Sequence, residues 1–500
     1  MRGKKIIFLI INSFLSFCFL AQQEYLDYRS VQNPLYWKNR KPKADYWQQD
    51  VHYNIRAELD DEKDIISGKI ELIYWNNSPF RLYHVFFNLY NNAQCKNSYL
   101  SDLYKNNGYK LKYGRYRDKN LGTEVVEITS GGEKLLTETD NTVMKVALPK
   151  PLDPGESVTF EITFNTYFDK EAIRNRMKMF NSFGKKHYDI VHWYPRISVF
   201  DRKFGWVTDQ HMDHEFYGDF GSFHVELTLP EEYIMDGTGI LVNEQEVLPE
   251  ELRKKLDISN FLKKPFNSLP SEIIPRTGKK KTWIFSAINV HDVAYTADPN
   301  YRIGEKIWNQ VRCIALVQEP HAAGWHNAAD YIAKVLEVNS QLIGPYYYPK
   351  MICADAQDGM EYPMLTLDGG FDPNYRSLLI HEMTHNWFYG MIGNNETYRA
   401  FLDEGFTQFF TAETYQFIEG PYVVEQPPLK KNFLNRYYYA FERPVKVWDD
   451  EAYFSYYYSN IVKDEKVTLN THSDDFNGAI RHGGCLLYTS PSPRDQRGTR

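Results

Sequence analysis

Leu378-Leu379-Ile380-His381-Glu382-Met383-Thr384-His385-Asn386-Trp387 reads H-E-x-x-H. On an α-helix, residues four apart stack on one face. His381 and His385 can therefore bind one metal ion, with Glu382 beside whatever shares that metal. Zinc suits the arrangement: it accepts imidazole nitrogen, and a catalytic site takes three protein ligands and keeps one position for water. The stretch calls for a helix, one zinc ion and a third ligand from elsewhere.

Leu402-Asp403-Glu404-Gly405-Phe406 offers that ligand. A second helix is expected from about Tyr398 to Phe417, after the loop Gly393-Asn394-Asn395, and two antiparallel helices bring Glu404 to the histidines. Asp403 is the rival, but neighbours on a helix point about 100° apart, so only one faces the metal. Glu404 is the favoured ligand, completing a His381, His385, Glu404 site. Zinc brings the pKa of its water towards neutrality. Glu382 can take that water's proton as it attacks a carbonyl and pass it to the leaving amine.

His381-Glu382-x-x-His385-x-Trp387 followed by Glu404, with Gly359-Met360-Glu361 upstream, resembles the zinc aminopeptidases related to alanyl aminopeptidase and leukotriene hydrolase. The family sequence G-x-M-E-N stands here as Gly359-Met360-Glu361-Tyr362, preceded by Asp358. The resemblance implies an α+β protein: an N-terminal, saddle-like antiparallel β domain over a thermolysin-like, mainly helical catalytic domain. It implies that Glu361, presented by Gly359 and Met360, grips the free amino group of a peptide substrate. An α-amine is largely cationic at pH 7, and a fixed carboxylate selects for it. Tyr362 departs from the family's Asn, which bears on the backbone contacts made there. The family also uses a downstream tyrosine on the oxyanion. Tyr456, Tyr457 and Tyr458 fall at roughly that distance, and the expectation is that the true tyrosine lies beyond Gly484.

The rest of the chain reads as the frame. From Asp45 to about Phe220 it alternates as strands do, at residues 51–59, 68–74, 143–148 and 156–164, with further strands at 223–229 and 282–286. A large antiparallel sheet domain is the simplest account. His192-Trp193 and His211-Met212-Asp213-His214 look metal-like but sit in strand or loop, and are read as structural. Residues 250–264 form a charged helical excursion ended by Pro265. After Tyr301 the texture turns to helix and cleft: a core-facing helix over 327–343, stopped by Gly344-Pro345, a strand over 347–355, and a strand-like run over 364–367. The expected division is a β-rich domain over 22–300 and a catalytic domain over 301–484.

Composition sets the limits. With 500 residues, 43% hydrophobic and 25% charged, the chain is globular and long enough for two or three domains. A net charge of -7 and the lack of a basic stripe argue against a nucleic-acid partner. Lys279-Lys280-Lys281 is read as a solvated loop. Cys95, Cys313 and Cys353 are widely spaced and odd in number, so buried free thiols are expected.

Arg2, Lys4 and Lys5 precede an apolar run over 6–20, and Ala21 offers a small residue for cleavage. This is the layout of a secretory signal peptide over 1–21, and predicts a secreted or periplasmic protein without stable membrane insertion. An uncleaved anchor is the alternative. Residues 485–500 lack periodicity and resemble a translated vector scar. Two other functional readings stay open: a thermolysin-like endopeptidase, and a non-catalytic peptide-binding protein of the same fold.

Overall fold

The computed structural model describes residues 27–40, 42–169, 176–212, 215–399, 402–422 and 447. The expected signal segment, His214, the tyrosines Tyr456, Tyr457 and Tyr458, and the tail from Cys485 lie outside the described residues.

Alternating residues build the largest sheet. In Asp50–Asp60, Tyr53, Ile55, Ala57 and Leu59 are buried while Arg56 and Glu58 are exposed. The facing Ile65–Trp75 buries Ile66, Gly68, Ile70, Leu72 and Tyr74 in the same rhythm. Side chains of a strand alternate between faces, so each strand has one apolar side. Gly68 is required at its place: a Cβ there would stand 2.7 Å from the Phe164 ring and 3.0 Å from Ala57 Cβ.

Eight strands form this sheet, in the order Ile240–Leu241, Lys280–Val290, Gly221–Pro230, Asp50–Asp60, Ile65–Trp75, Ser157–Tyr167, Thr123–Ser130, Glu133–Lys134. It is not wholly antiparallel as expected, because Asp50–Asp60 and Gly221–Pro230 run parallel, with Val51 opposite Gly221. Parallel neighbours need a long crossover, and here that crossover carries strands of two four-stranded sheets. One contains Lys185–Ile190, the other Leu82–Asn88 and Val143–Leu152. With the two-stranded pair of Phe200–Asp201 and Gly205–Trp206, the expected sheet domain is therefore four sheets among the described residues.

The lysine run is also corrected. Lys280 and Lys281 open the strand Lys280–Val290. The Lys281 ammonium lies 4.7 Å from the Trp283 ring centroid, and burial pulls its pKa down to about 8. A lysine stem covers apolar surface readily, so a charge run does not exclude a strand.

From Tyr301 the chain first makes strands rather than the helices expected. Tyr301–Trp308 and Val311–Gln318 form a hairpin. Its two turn residues, Asn309 and Gln310, have φ of 44° and 69°, the left-handed pair that a tight hairpin uses. A five-stranded mixed sheet follows in the order Tyr301–Trp308, Val311–Gln318, Lys350–Asp355, Leu365–Asp368, Met360–Tyr362. The helix Ala328–Leu342 crosses between the parallel strands Val311–Gln318 and Lys350–Asp355 and buries Ile332, Val335, Leu336 and Asn339. Two further helices, Arg376–His385 and Glu404–Glu419, pack beside it. One apolar core runs without a break from Phe160 and Trp193 through Val317 and Leu336 to Met383. Cys95, Cys313 and Cys353 are free and buried, as expected.

Candidate functional site

The H-E-x-x-H residues do lie on a helix, Arg376–His385, with Leu379, Ile380 and Met383 fully buried. Arg376 anchors its start, 2.7 Å from Asp372 and 2.6 Å from Glu419. The second helix does not start at Tyr398 as expected. It begins at Glu404, after a separate turn over Glu396–Arg399. The pairings Arg376 with Glu419, His381 with Thr411 and His385 with Thr407 run in opposite orders along the two helices, so these are antiparallel.

Three donor atoms converge. His385 Nε2 is 3.2 Å from His381 Nε2, and Glu404 Oε2 is 3.3 Å from His381 Nε2 and 3.8 Å from His385 Nε2. Ligands held at about 2.0–2.1 Å from one tetrahedral zinc stand roughly 3.3 Å apart. The spacing and the donor set therefore fit that ion. Asp403 does not compete for it. Its Oδ1 lies 2.5 Å from His385 Nδ1, on the far side of the imidazole. A carboxylate there accepts a hydrogen bond from Nδ1–H and so favours the tautomer whose Nε2 lone pair faces the other two donors.

Electrostatics separate the neighbouring carboxyls. Burial pushes Glu382 well above the usual carboxylate range, with Glu361, Asp368 and Glu404 adding to the rise and Arg176 opposing it. Burial would also raise Glu404, but the hydrogen bond from His381 and the two histidine charges bring it down to about 2.

Glu361, Gly359 and Met360 join the same place. A Glu361 carboxylate oxygen lies within 4.8 Å of a Glu382 oxygen and a His385 nitrogen. Glu361 is 3% exposed, and its Oε1 has no hydrogen-bond partner among the described residues. Gly359 makes room for Glu382, since a Cβ on it would stand 3.0 Å from Glu382 Oε1. Met360 is fully buried. The Tyr362 hydroxyl lies 3.0 Å from His192 Nε2, while the Asn386 side-chain carbonyl oxygen accepts from Met364 N at 2.8 Å and holds the backbone nearby. Asn386 opens a π-helical turn, Asn386–Met391, immediately after His385. Such turns widen a helix and re-aim its side chains.

The histidines read as structural are packed. His192 stacks on Phe216 with centroids 3.6 Å apart, and His211 stacks on the same ring at 5.1 Å. Burial holds His192 well below its usual pKa. His321 sits 2.6 Å from Asp355. Sequence reading missed Arg176 and Glu215, which pair at 2.8 Å beside the Gly359–Glu361 stretch. Neither lies in a recognisable motif, and only the fold brings them there.

Neither a protein-family model nor a curated protein sequence matches this chain. Solved structures do. A glutamate-to-alanine variant of the M1 zinc metallopeptidase from Deinococcus radiodurans aligns with TM-score 0.53 and 15% identity, over 88% of this chain and 82% of that one. The same variant bound to a Tyr-Ser-Ala substrate aligns with TM-score 0.51 and 14% identity over the same shares. The chain has the fold of an M1 zinc metallopeptidase. In this chain the β-rich part precedes the helices that carry His381, His385 and Glu404.

Proposed function

We propose that this chain is a zinc-dependent aminopeptidase that removes N-terminal residues from peptides. The observation that carries the reading is the buried, unpartnered Oε1 of Glu361, on a carboxylate within 4.8 Å of the Glu382 carboxylate. A buried acceptor without a partner is costly unless a ligand satisfies it. An ammonium group is the ligand whose charge and donors fit. His381, His385 and Glu404 would hold the zinc, which supplies Lewis acidity that acidifies water and polarises a carbonyl. Glu361 then anchors the substrate amine and so fixes which peptide bond reaches Glu382. The Glu382 carboxylate accepts the proton of the attacking water and delivers it to the departing amine.

The M1 neighbour that binds Tyr-Ser-Ala supports a peptide substrate. In this reading, residues 22–300 frame the cleft and residues 301–484 carry the chemistry. Export follows from the signal-like segment over 1–21. No helix among the described residues is long and apolar enough to cross a membrane.

Comparing a peptide with its N-acetylated form tests the assignment. An enzyme that grips the amine hydrolyses the free peptide and hardly touches the blocked one. Equal rates on both would instead favour an endopeptidase, and no hydrolysis of either by the zinc-loaded chain would favour a binding protein.

A further inference from the structure

Glu361 sits at the centre of Met360–Tyr362, a three-residue strand at the edge of the five-stranded sheet. Its ladder joins it to Leu365–Asp368 on one side only. So short an edge strand has few backbone bonds to fix it. A carboxylate meant to place an amine within a fraction of an ångström needs firmer support.

That support comes from the β-rich part of the chain. Arg176 Nη1 donates to the Gly359 carbonyl at 3.0 Å, and its Nη2 donates to Glu215 Oε1 at 2.8 Å. The same guanidinium touches the Met360 sulfur. Two residues on, the Lys178 ammonium lies 2.8 Å from Asp358 Oδ2, with side chains 13% and 1% exposed. Lys178 is itself fixed, because its carbonyl accepts from Asp189 N at 2.9 Å. The Arg176 guanidinium thus spans the strand that carries Glu361 and the buried Glu215 carboxylate, which is 4% exposed. A planar fork with donors in fixed directions can hold two such partners at once.

We propose that Arg176 is a positioning residue: by bridging the Gly359 carbonyl and Glu215, it sets the geometry in which Glu361 meets the substrate amine. The inference rests on the aminopeptidase reading. It adds that amine selectivity depends on a residue that is neither a zinc ligand nor an amine contact. Losing the bridge leaves the edge strand with its one-sided ladder, the Lys178–Asp358 pair and the Tyr362–His192 contact, and lets Glu361 drift, while the proposed zinc donors, which sit on other elements, keep their places.

The test uses the full chain and three variants, Arg176→Met, Arg176→Lys and Glu215→Gln, with zinc content and melting temperature recorded for each. Equilibrium binding of L-leucinamide and of its N-acetylated form is measured, followed by KM and kcat on a free-amine peptide and its acetylated form. For Arg176→Met the expected result is retained zinc and a ten- to hundredfold loss of kcat/KM on the free peptide, roughly what misplacement by about an ångström costs. The loss falls mainly in KM and in leucinamide binding, with little change for the acetylated compounds. Arg176→Lys, which keeps charge but not the fork, recovers only part. Glu215→Gln, which keeps the acceptor but not the charge, falls between wild type and Arg176→Met. Equal losses on free and acetylated compounds, or unchanged leucinamide selectivity in Arg176→Met, would overturn the proposal while leaving the aminopeptidase reading intact. If the wild type itself fails to prefer leucinamide over its acetylated form, and Glu361→Gln changes nothing, both ideas fall.

Discussion

Asp403 Oδ1 lies 2.5 Å from His385 Nδ1, so the residue immediately before one proposed zinc donor orients another. Both carboxylates come from the break at which the second helix begins. Outer carboxylates of this kind fix the tautomer of a metal-bound histidine. Asp403→Ala should weaken zinc affinity by about ten- to a hundredfold. Competition with a chelator measures it, and unchanged affinity would remove Asp403 from the metal centre.

Glu382 is the proposed proton carrier rather than a ligand. Glu382→Gln should retain zinc and lose roughly a hundredfold or more in kcat. Metal analysis alongside steady-state kinetics decides the matter, since full activity in that variant would sink the mechanism.

Gly359 leaves the space that Glu382 occupies, and a Cβ on it would come within 3.0 Å of Oε1. Gly359→Ala should displace the Glu382 carboxylate by a few tenths of an ångström. A lower kcat with normal zinc content is the expected outcome, and unaltered kcat would show that Glu382 has slack.

Asn339 ties three helices together behind the site. Its amide donates to Thr384 Oγ1 at 2.9 Å, and its carbonyl accepts from the Thr414 hydroxyl, all fully buried. Asn339→Ala leaves both hydroxyls without this partner and should cost about 1–3 kcal/mol. Chemical denaturation of the zinc-free chain reads this directly.

A buried histidine that belongs to none of the donor clusters gives a pH signature. His187 lies 2.9 Å from Asp189 and 3.0 Å from Asp298. Burial alone would lower its pKa, but the charge of Asp189 and hydrogen bonds to both carboxylates outweigh this and raise it to about 10. A folded pKa above the unfolded value of 6.5 means the imidazolium stabilises the fold fully below about pH 6.5. That contribution is lost as pH rises through about 10. Melting temperature should therefore fall more steeply between about pH 7 and 10 in the wild type than in His187→Asn, and parallel slopes would refute the assignment.

What the sequence disclosed follows from the range of each interaction. The helix Arg376–His385 was legible because His381 and His385 are one turn apart, and period-two alternation made the strands at 51–59 and 68–74 visible. Parallel pairing of Asp50–Asp60 with Gly221–Pro230 was not, because local alternation says nothing about a partner so distant. The Tyr301–Trp308 hairpin was missed because Asn309-Gln310 is an unusual pair for left-handed turn residues. Asp403 was seen as a competitor for the metal. Its actual place on His385 Nδ1 depends on a helix break that spacing alone did not reveal.

The parallel pair has a further consequence for synthesis. Asp50–Asp60 waits for a partner 170 residues later, as His52 and Ser222 show. While the ribosome makes the intervening stretch, one side of this strand carries unpaired backbone groups, a template for wrong pairing. Chains that stop short of Pro230 would keep that edge open permanently. Nascent chains of increasing length should accordingly stay protease-sensitive and prone to aggregate until Gly221–Pro230 has emerged, then become compact together.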